Sequence, residues 1–134
     1  MVDLENRASR VIDAALGVHV DLGPGLLESV YEQVLANRLR KLGMKVDRQM
    51  PVGTRIDGLD FPGAFRADIL VDDSLLLEIK AVERLFPIHT RQTLTYLRLM
   101  KLPLGLLINF GGITLKEGLR RVANNYRLPR TNSR

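Results

Sequence analysis

Apolar residues recur at helical spacing over residues 3–20, where Leu4, Ala8, Val11, Ile12, Ala15 and Leu16 fall on one stripe. Gly23–Pro24–Gly25 interrupts that pattern. A second helix is predicted from about Leu26 to Leu42, with Leu27, Val30, Tyr31, Val34, Leu35, Leu39 and Leu42 inward and Gly43 as its stop. Lys45–Val52 alternates weakly and predicts a strand. The segment 53–63, punctuated by Gly53, Gly58, Pro62 and Gly63, predicts a loop or a loosely formed hairpin. Two aliphatic runs follow, 66–71 and 75–82, and Asp72–Asp73–Ser74 between them marks a turn, so together they predict a β-hairpin. A helix is predicted from about His89 to Lys101, closed by Pro103. Leu104–Phe110 is a short continuous apolar run that reads as a buried strand, and Gly111–Gly112 turns the chain. Residues 113–124 fit either a last strand or a short helix, and Arg127–Arg134 reads as a frayed end.

The order helix, helix, three strands, helix, strand predicts an α/β architecture in which helices flank a mixed sheet. The helix between 75–82 and 104–110 is a crossover, so those two strands should run parallel with a right-handed connection. No repeat, low-complexity tract or linker divides the 134 residues, which read as a single domain with a core over about 8–124 and a basic tail over 125–134.

The hairpin carries the candidate chemistry. With Asp72–Asp73–Ser74 as the loop, Val71 pairs with Leu75 and Asp68 falls opposite Glu78. Alternation then puts Ala67, Ile69, Val71, Leu75, Leu77 and Ile79 on one face, and Arg66, Asp68, Leu70, Leu76, Glu78 and Lys80 on the other. Directly opposed side chains have Cβ atoms about 4.5–5.5 Å apart, and like charges so placed are destabilising. Two such carboxylates call for a cation between them, and Lys80 or a divalent metal would serve. A two-residue loop would shift the register by one and send the acids to opposite faces. The bland alternative is a solvated sheet face of mixed charge, against which Leu70 and Leu76 argue.

Composition narrows the classes. A hydrophobic content of 46% and a charged content of 26% suit a globular protein. No window approaches the roughly 18 uninterrupted apolar residues of a membrane span. The first residues lack the basic-then-apolar layout of a secretory signal. There is no cysteine, which excludes disulfides and thiolate metal sites. A cytoplasmic location is the resulting expectation. The net charge of +5 suits a polyanionic partner, with basic residues densest at 38–48 and 116–134. A basic tail can track phosphates without sequence preference, or simply keep the protein soluble.

Several short motifs appear in a fixed order: Gly25-Leu-Leu-Glu28-Ser-Val-Tyr31, Arg66-Ala-Asp68, Glu78-Ile-Lys80-Ala-Val, His89 with Gln92-Thr-Leu-Thr-Tyr96-Leu, and Leu107-Ile-Asn-Phe-Gly111. Together they resemble the GxxExxY proteins over roughly residues 8–124. That family is placed in the PD-(D/E)xK nuclease superfamily, with a restriction-endonuclease-like α-β-β-β-α-β core. Each motif alone is weak, and the ordered set is specific.

The resemblance implies a Mg²⁺-dependent phosphodiesterase, with Mn²⁺ as a substitute ion and nucleic acid, DNA foremost, as substrate. Mg²⁺ prefers carboxylate oxygen and keeps several waters. Asp68 and Glu78 would supply two oxygens, the Ile79 carbonyl a third, and Glu28 would reach the ion directly or through water. Lys80 would orient or deprotonate the attacking water, or stabilise charge on the phosphate. Gln92 and Tyr96 share a helix face one turn apart. By resemblance to the exonuclease-like branch, Gln92 would hold water or phosphate and Tyr96 a backbone oxygen.

Each residue also has a structural reading. Glu28 suits the first turn of a helix through the dipole, and Tyr31 suits a core aromatic with its hydroxyl at the rim. Gln92 and Tyr96 suit a surface hydrogen-bonded pair, His89 a capping or packing role, and Lys80 a salt bridge. His19, on the first helix, gives His89 no metal-binding companion. The alternatives to a nuclease are a non-catalytic module that binds nucleic acid or protein on the same fold, and a subunit that grips substrate through self-association or a partner protein.

Overall fold

The computed structural model describes residues 3–126. They form a five-stranded sheet in the order β1-β2-β3-β4-β5, with helices on both faces. Helix α1 spans Leu4–Leu22 and α2 spans Glu28–Lys41. The strands are β1 (Val46–Ile56), β2 (Leu59–Val71), β3 (Leu75–Lys80), β4 (Leu104–Asn109) and β5 (Leu119–Ala123). Helix α3 (Pro87–Met100) connects β3 to β4, which pair in parallel; every other pair is antiparallel. A short 3-10 turn, Lys116–Gly118, precedes β5, so the ambiguous segment holds both a helical turn and a strand.

Two apolar layers sandwich the sheet. Ile69, Val71, Leu75, Leu77 and Ile79 meet Val11, Ala15, Val18, Tyr31 and Leu35 of α1 and α2. Leu76, Leu107 and Val122 meet Leu97 of α3. The alternation along β3 therefore divides the core, and Glu78 lies on the α3 side with Leu76.

Several expectations are corrected. Leu16 on α1, with Leu27, Val30 and Leu42 around α2, is exposed, Leu27 at 75%. Helix α2 starts at Glu28 and buries the stripe of Tyr31, Glu32, Leu35, Ala36 and Leu39, while Leu27 and Leu42 are its cap residues and lie beyond the two ends of that stripe. Of the two forms expected for residues 53–63, the hairpin is the one found: Ile56 pairs with Leu59 across Asp57–Gly58, with a register shift between Val52 and Thr54, and φ values of 53° and 78° make the two-residue turn that matches strand twist. Strand β3 ends at Lys80, two residues short of the predicted boundary, and α3 begins at Pro87 rather than His89. Ala67 packs in the α3 layer beside Leu76 and not with Ile69, because the regular alternation breaks at Asp68. The tail 127–134 lies outside the described residues.

Candidate active site

The β2–β3 register is Val71↔Leu75, Leu70↔Leu76 and Ile69↔Leu77, and Asp68 and Glu78 are the next residues along each strand. Regular pairing stops at Ile69. Beyond it β2 pairs only with β1, as far as the hairpin tip. Side chains take over from the ladder at this fork. The Asp68 N–H donates to Glu78 Oε2 at 3.0 Å, and the Ile79 N–H donates to Asp68 Oδ2 at 2.8 Å. Each acid thus satisfies an amide of the opposite strand, and the two carboxyl groups stand side by side where the strands part.

Glu28 opens α2 at the same corner. Its placement follows from the chain entering that helix. Gly25 adopts φ 110°, a left-handed conformation that suits glycine. The Tyr31 hydroxyl donates to the Gly23 carbonyl at 2.5 Å and accepts from the Leu26 N–H at 3.1 Å. Tyr31 is fully buried and stacks on Phe110 with ring centroids 4.8 Å apart. Gly25, Glu28 and Tyr31 are thus one unit: the tyrosine fastens the bend and the bend delivers the glutamate.

The electrostatics match a crowded set of acids. Burial and then the Asp68 charge push the Glu78 carboxyl up to about 8. Burial also raises Asp68, against the opposing pull of the Ile79 amide, Lys80 and Gln49. Glu28 is raised by burial and by Asp68, with Lys80 countering. Three carboxyl groups therefore resist full ionisation together, and a cation would relieve them.

Lys80 lies two residues beyond Glu78 on the same side, and its Nζ donates to Gln92 Oε1 of α3 at 3.2 Å. Gln92 thus accepts from the ammonium group of Lys80. The Tyr96 ring stacks on Phe65 of β2 at 3.9 Å, and Asp68 and Glu78 both raise its hydroxyl, after burial. Lys80, His89, Gln92, Thr95 and Tyr96 line an open cavity of about 500 Å³ beside the acids. His89 is structural: its Nδ1 accepts from the Phe86 N–H at 2.9 Å and caps α3. His19 stacks beside Phe110 with ring centroids 6.5 Å apart, its Nε2 hydrogen-bonded to the Gly112 carbonyl at 3.0 Å.

Three residues that sequence reading passed over complete the corner. Glu32, one turn after Glu28, is 3% exposed. Arg48 bonds its Oε2 through Nε and Nη2 at 3.1 and 2.7 Å. Gln49 Nε2 donates to Glu32 Oε1 at 2.7 Å and to Asp68 Oδ1 at 3.3 Å. The available signal was the i, i+4 spacing of Glu28 and Glu32, which puts both acids on one helix face.

Among the described residues, no three His, Cys, Asp or Glu side chains are arranged as a ready-made metal cluster. The donor chemistry nonetheless fits a hard divalent ion. Mg²⁺ is typically held by one or two carboxylates together with waters and substrate phosphate. Asp68 and Glu78 meet that requirement, and each has one oxygen already fixed by a backbone amide. No helix among the described residues is long and apolar enough to cross a membrane.

A family model, described as the PD-(D/E)XK nuclease superfamily, matches residues 5–122. No curated protein and no solved structure matches the chain significantly.

Proposed function

The chain belongs to the PD-(D/E)XK nuclease superfamily, and from that premise we propose that it is a cytoplasmic, Mg²⁺-dependent nuclease that hydrolyses phosphodiester bonds in DNA, with Mn²⁺ as a substitute. Members of this superfamily generally cut phosphodiesters and usually employ divalent metals. The motifs Gly25–Tyr31, Asp68, Glu78–Lys80 and Gln92–Tyr96, in that order, support a place among the GxxExxY proteins.

The observation that carries the proposal is the fork at Asp68 and Glu78. Two carboxyl groups sit where the strands part, with Glu28 and Lys80 beside them, and all three acids have raised pKa values. Asp68 and Glu78 would hold the ion, with the Ile79 carbonyl as a further oxygen and Glu28 completing the shell directly or through water. When bound, the ion supplies positive charge against the phosphate and acidifies water. Lys80 presents its ammonium group toward the same space. Gln92 fixes that group's direction at 3.2 Å, so Lys80 orients the attacking water or stabilises charge on the phosphate. Tyr96, braced flat against Phe65, offers its hydroxyl to a backbone oxygen of the substrate.

The chain's net charge of +5 suits a phosphate backbone. Its size leaves room for self-association or a partner protein to extend the grip. The test is cleavage of a DNA panel with Mg²⁺ or Mn²⁺ by wild type, Asp68→Ala and Lys80→Ala. Metal-dependent cleavage lost in both variants, with folding retained by circular dichroism, is the expected result. Equal cleavage by all three would remove the assignment. Salt-sensitive DNA binding that is indifferent to EDTA, without turnover, would instead favour the non-catalytic module.

A further inference from the structure

The Glu32–Gln49–Asp68 chain does more than join α2 to the sheet. Gln49 stands in β1 between the pairs Arg48↔Ile69 and Met50↔Ala67, facing Asp68. Its φ is 50°, a left-handed conformation that costs a non-glycine residue about 1 kcal/mol or more and persists only where the surroundings impose it. That twist in β1 matches the break in alternation at Asp68 of β2, and it aims the Gln49 side chain at two carboxylates.

A side-chain amide has a donor end and an acceptor end, and its neighbours decide which one faces where. Glu32 decides it here. Its Oε2 is occupied by the Arg48 guanidinium, and its Oε1 accepts from Gln49 Nε2 at 2.7 Å. The NH₂ group must therefore face the acids, and its second hydrogen reaches Asp68 Oδ1 at 3.3 Å. Asp68 is consequently held at both oxygens by donors from different strands, the Ile79 amide on Oδ2 and Gln49 on Oδ1.

We propose that Gln49, oriented by buried Glu32 and its Arg48 partner, is a positioning residue that fixes the plane of the Asp68 carboxylate and thereby sets the affinity of the site for a divalent cation. This rests on the metal-dependent nuclease proposed above. Groups that orient metal-binding carboxylates from behind change metal affinity about 10- to 100-fold when removed. Gln49 is exposed, so its side chain can be replaced without opening the core.

The experiment is calorimetric titration of Mn²⁺ into the DNA-free protein, with thermal melting alongside, for wild type, Asp68→Asn, Gln49→Met and Gln49→Glu. Methionine keeps the length and loses the donor, while glutamate sets an acceptor against both Glu32 and Asp68. Gln49→Met should stay folded with a lowered melting temperature, because Glu32 Oε1 loses its donor, and should bind Mn²⁺ about tenfold more weakly; Gln49→Glu should bind more weakly still. Cleavage by Gln49→Met should recover as Mn²⁺ is raised, with KM for DNA unaltered, which a merely structural defect would not produce. Mn²⁺ binding by Gln49→Met within twofold of wild type, where Asp68→Asn abolishes it, overturns the positioning role and leaves the nuclease assignment standing. Wild type that binds no Mn²⁺ defeats that assignment, and the positioning role falls with it.

Discussion

Asp68 and Glu78 are bound to each other's strands: the Asp68 amide donates to Glu78 at 3.0 Å, and the Asp68 carboxylate accepts from Ile79, the residue after Glu78, at 2.8 Å. The sheet opens at this point because the acids occupy amides that a regular ladder would use. Both carboxyl groups are thereby drawn to the mouth of the fork, each with its orientation set by the main chain.

Glu78→Gln keeps a carbonyl oxygen for the Asp68 amide while removing the charge. The variant should fold, and its Mn²⁺-dependent cleavage should fall to background. Wild-type cleavage by folded Glu78→Gln would contradict the role assigned to this acid.

The same raised carboxyl predicts a pH effect on stability. The Glu78 pKa of about 8 in the folded protein exceeds its ordinary 4.5, so between those values the folded state binds the proton more tightly than the unfolded state. Stability of the metal-free protein should then fall as pH rises from about 5 to 8 and level off above that. Asp68 and Glu28 are raised as well and act in the same direction. Denaturant midpoints across this range should show the decline, and Glu78→Gln should flatten it. A midpoint that rises over the same interval in EDTA would contradict the clustering of charge.

Gln92→Ala removes the acceptor that directs Lys80 without touching the carboxylates. We expect kcat to fall about ten- to a hundredfold through misplacement of the ammonium group, with Mn²⁺ affinity unchanged. Calorimetry and single-turnover kinetics on the one variant would separate the two quantities.

Tyr31→Phe keeps the stack on Phe110 but leaves the Gly23 carbonyl and the Leu26 amide without the hydroxyl. A cost of about 1–3 kcal/mol in urea unfolding is expected. The same change loosens the bend that delivers Glu28.

At Gly111 a methyl group would collide with the backbone of Ala81 and Val82, which lie in the segment leaving β3. That segment is pinned by Asn109, whose side chain bonds the Val82 N–H and C=O at 2.9 Å each. Neither backbone can retreat freely, so Gly111→Ala should lower stability by about 1–3 kcal/mol, readable as a lowered melting temperature.

Much of this fold is written in local pattern. The triplet Asp72–Asp73–Ser74 closes a hairpin whose register brings Asp68 level with Glu78, and two side-chain-to-amide hydrogen bonds then join the acids where the ladder stops. The crossover helix between two apolar runs makes β3 and β4 parallel. The glycines and proline of residues 53–63 left that segment open between a loop and a loosely formed hairpin, although Asp57–Gly58 is itself a strong turn signal. The exposure of Leu27 and Leu42 was not legible, because helical spacing does not tell how far along its axis a helix is covered.

Spacing and residue type along the chain were enough to determine the layered α/β plan, the pairing of the two central acids and the nearness of Lys80, because turns and periodicity act over a few residues. Folding alone decided that Glu32 would be buried against Arg48, that Gln49 would twist its backbone to reach two carboxylates, and that Gln92 would hold Lys80. These contacts join residues 12 to 19 positions apart on different elements. Their energies depend on burial and on exact partner geometry, which exist only once α2, the sheet and α3 have packed together.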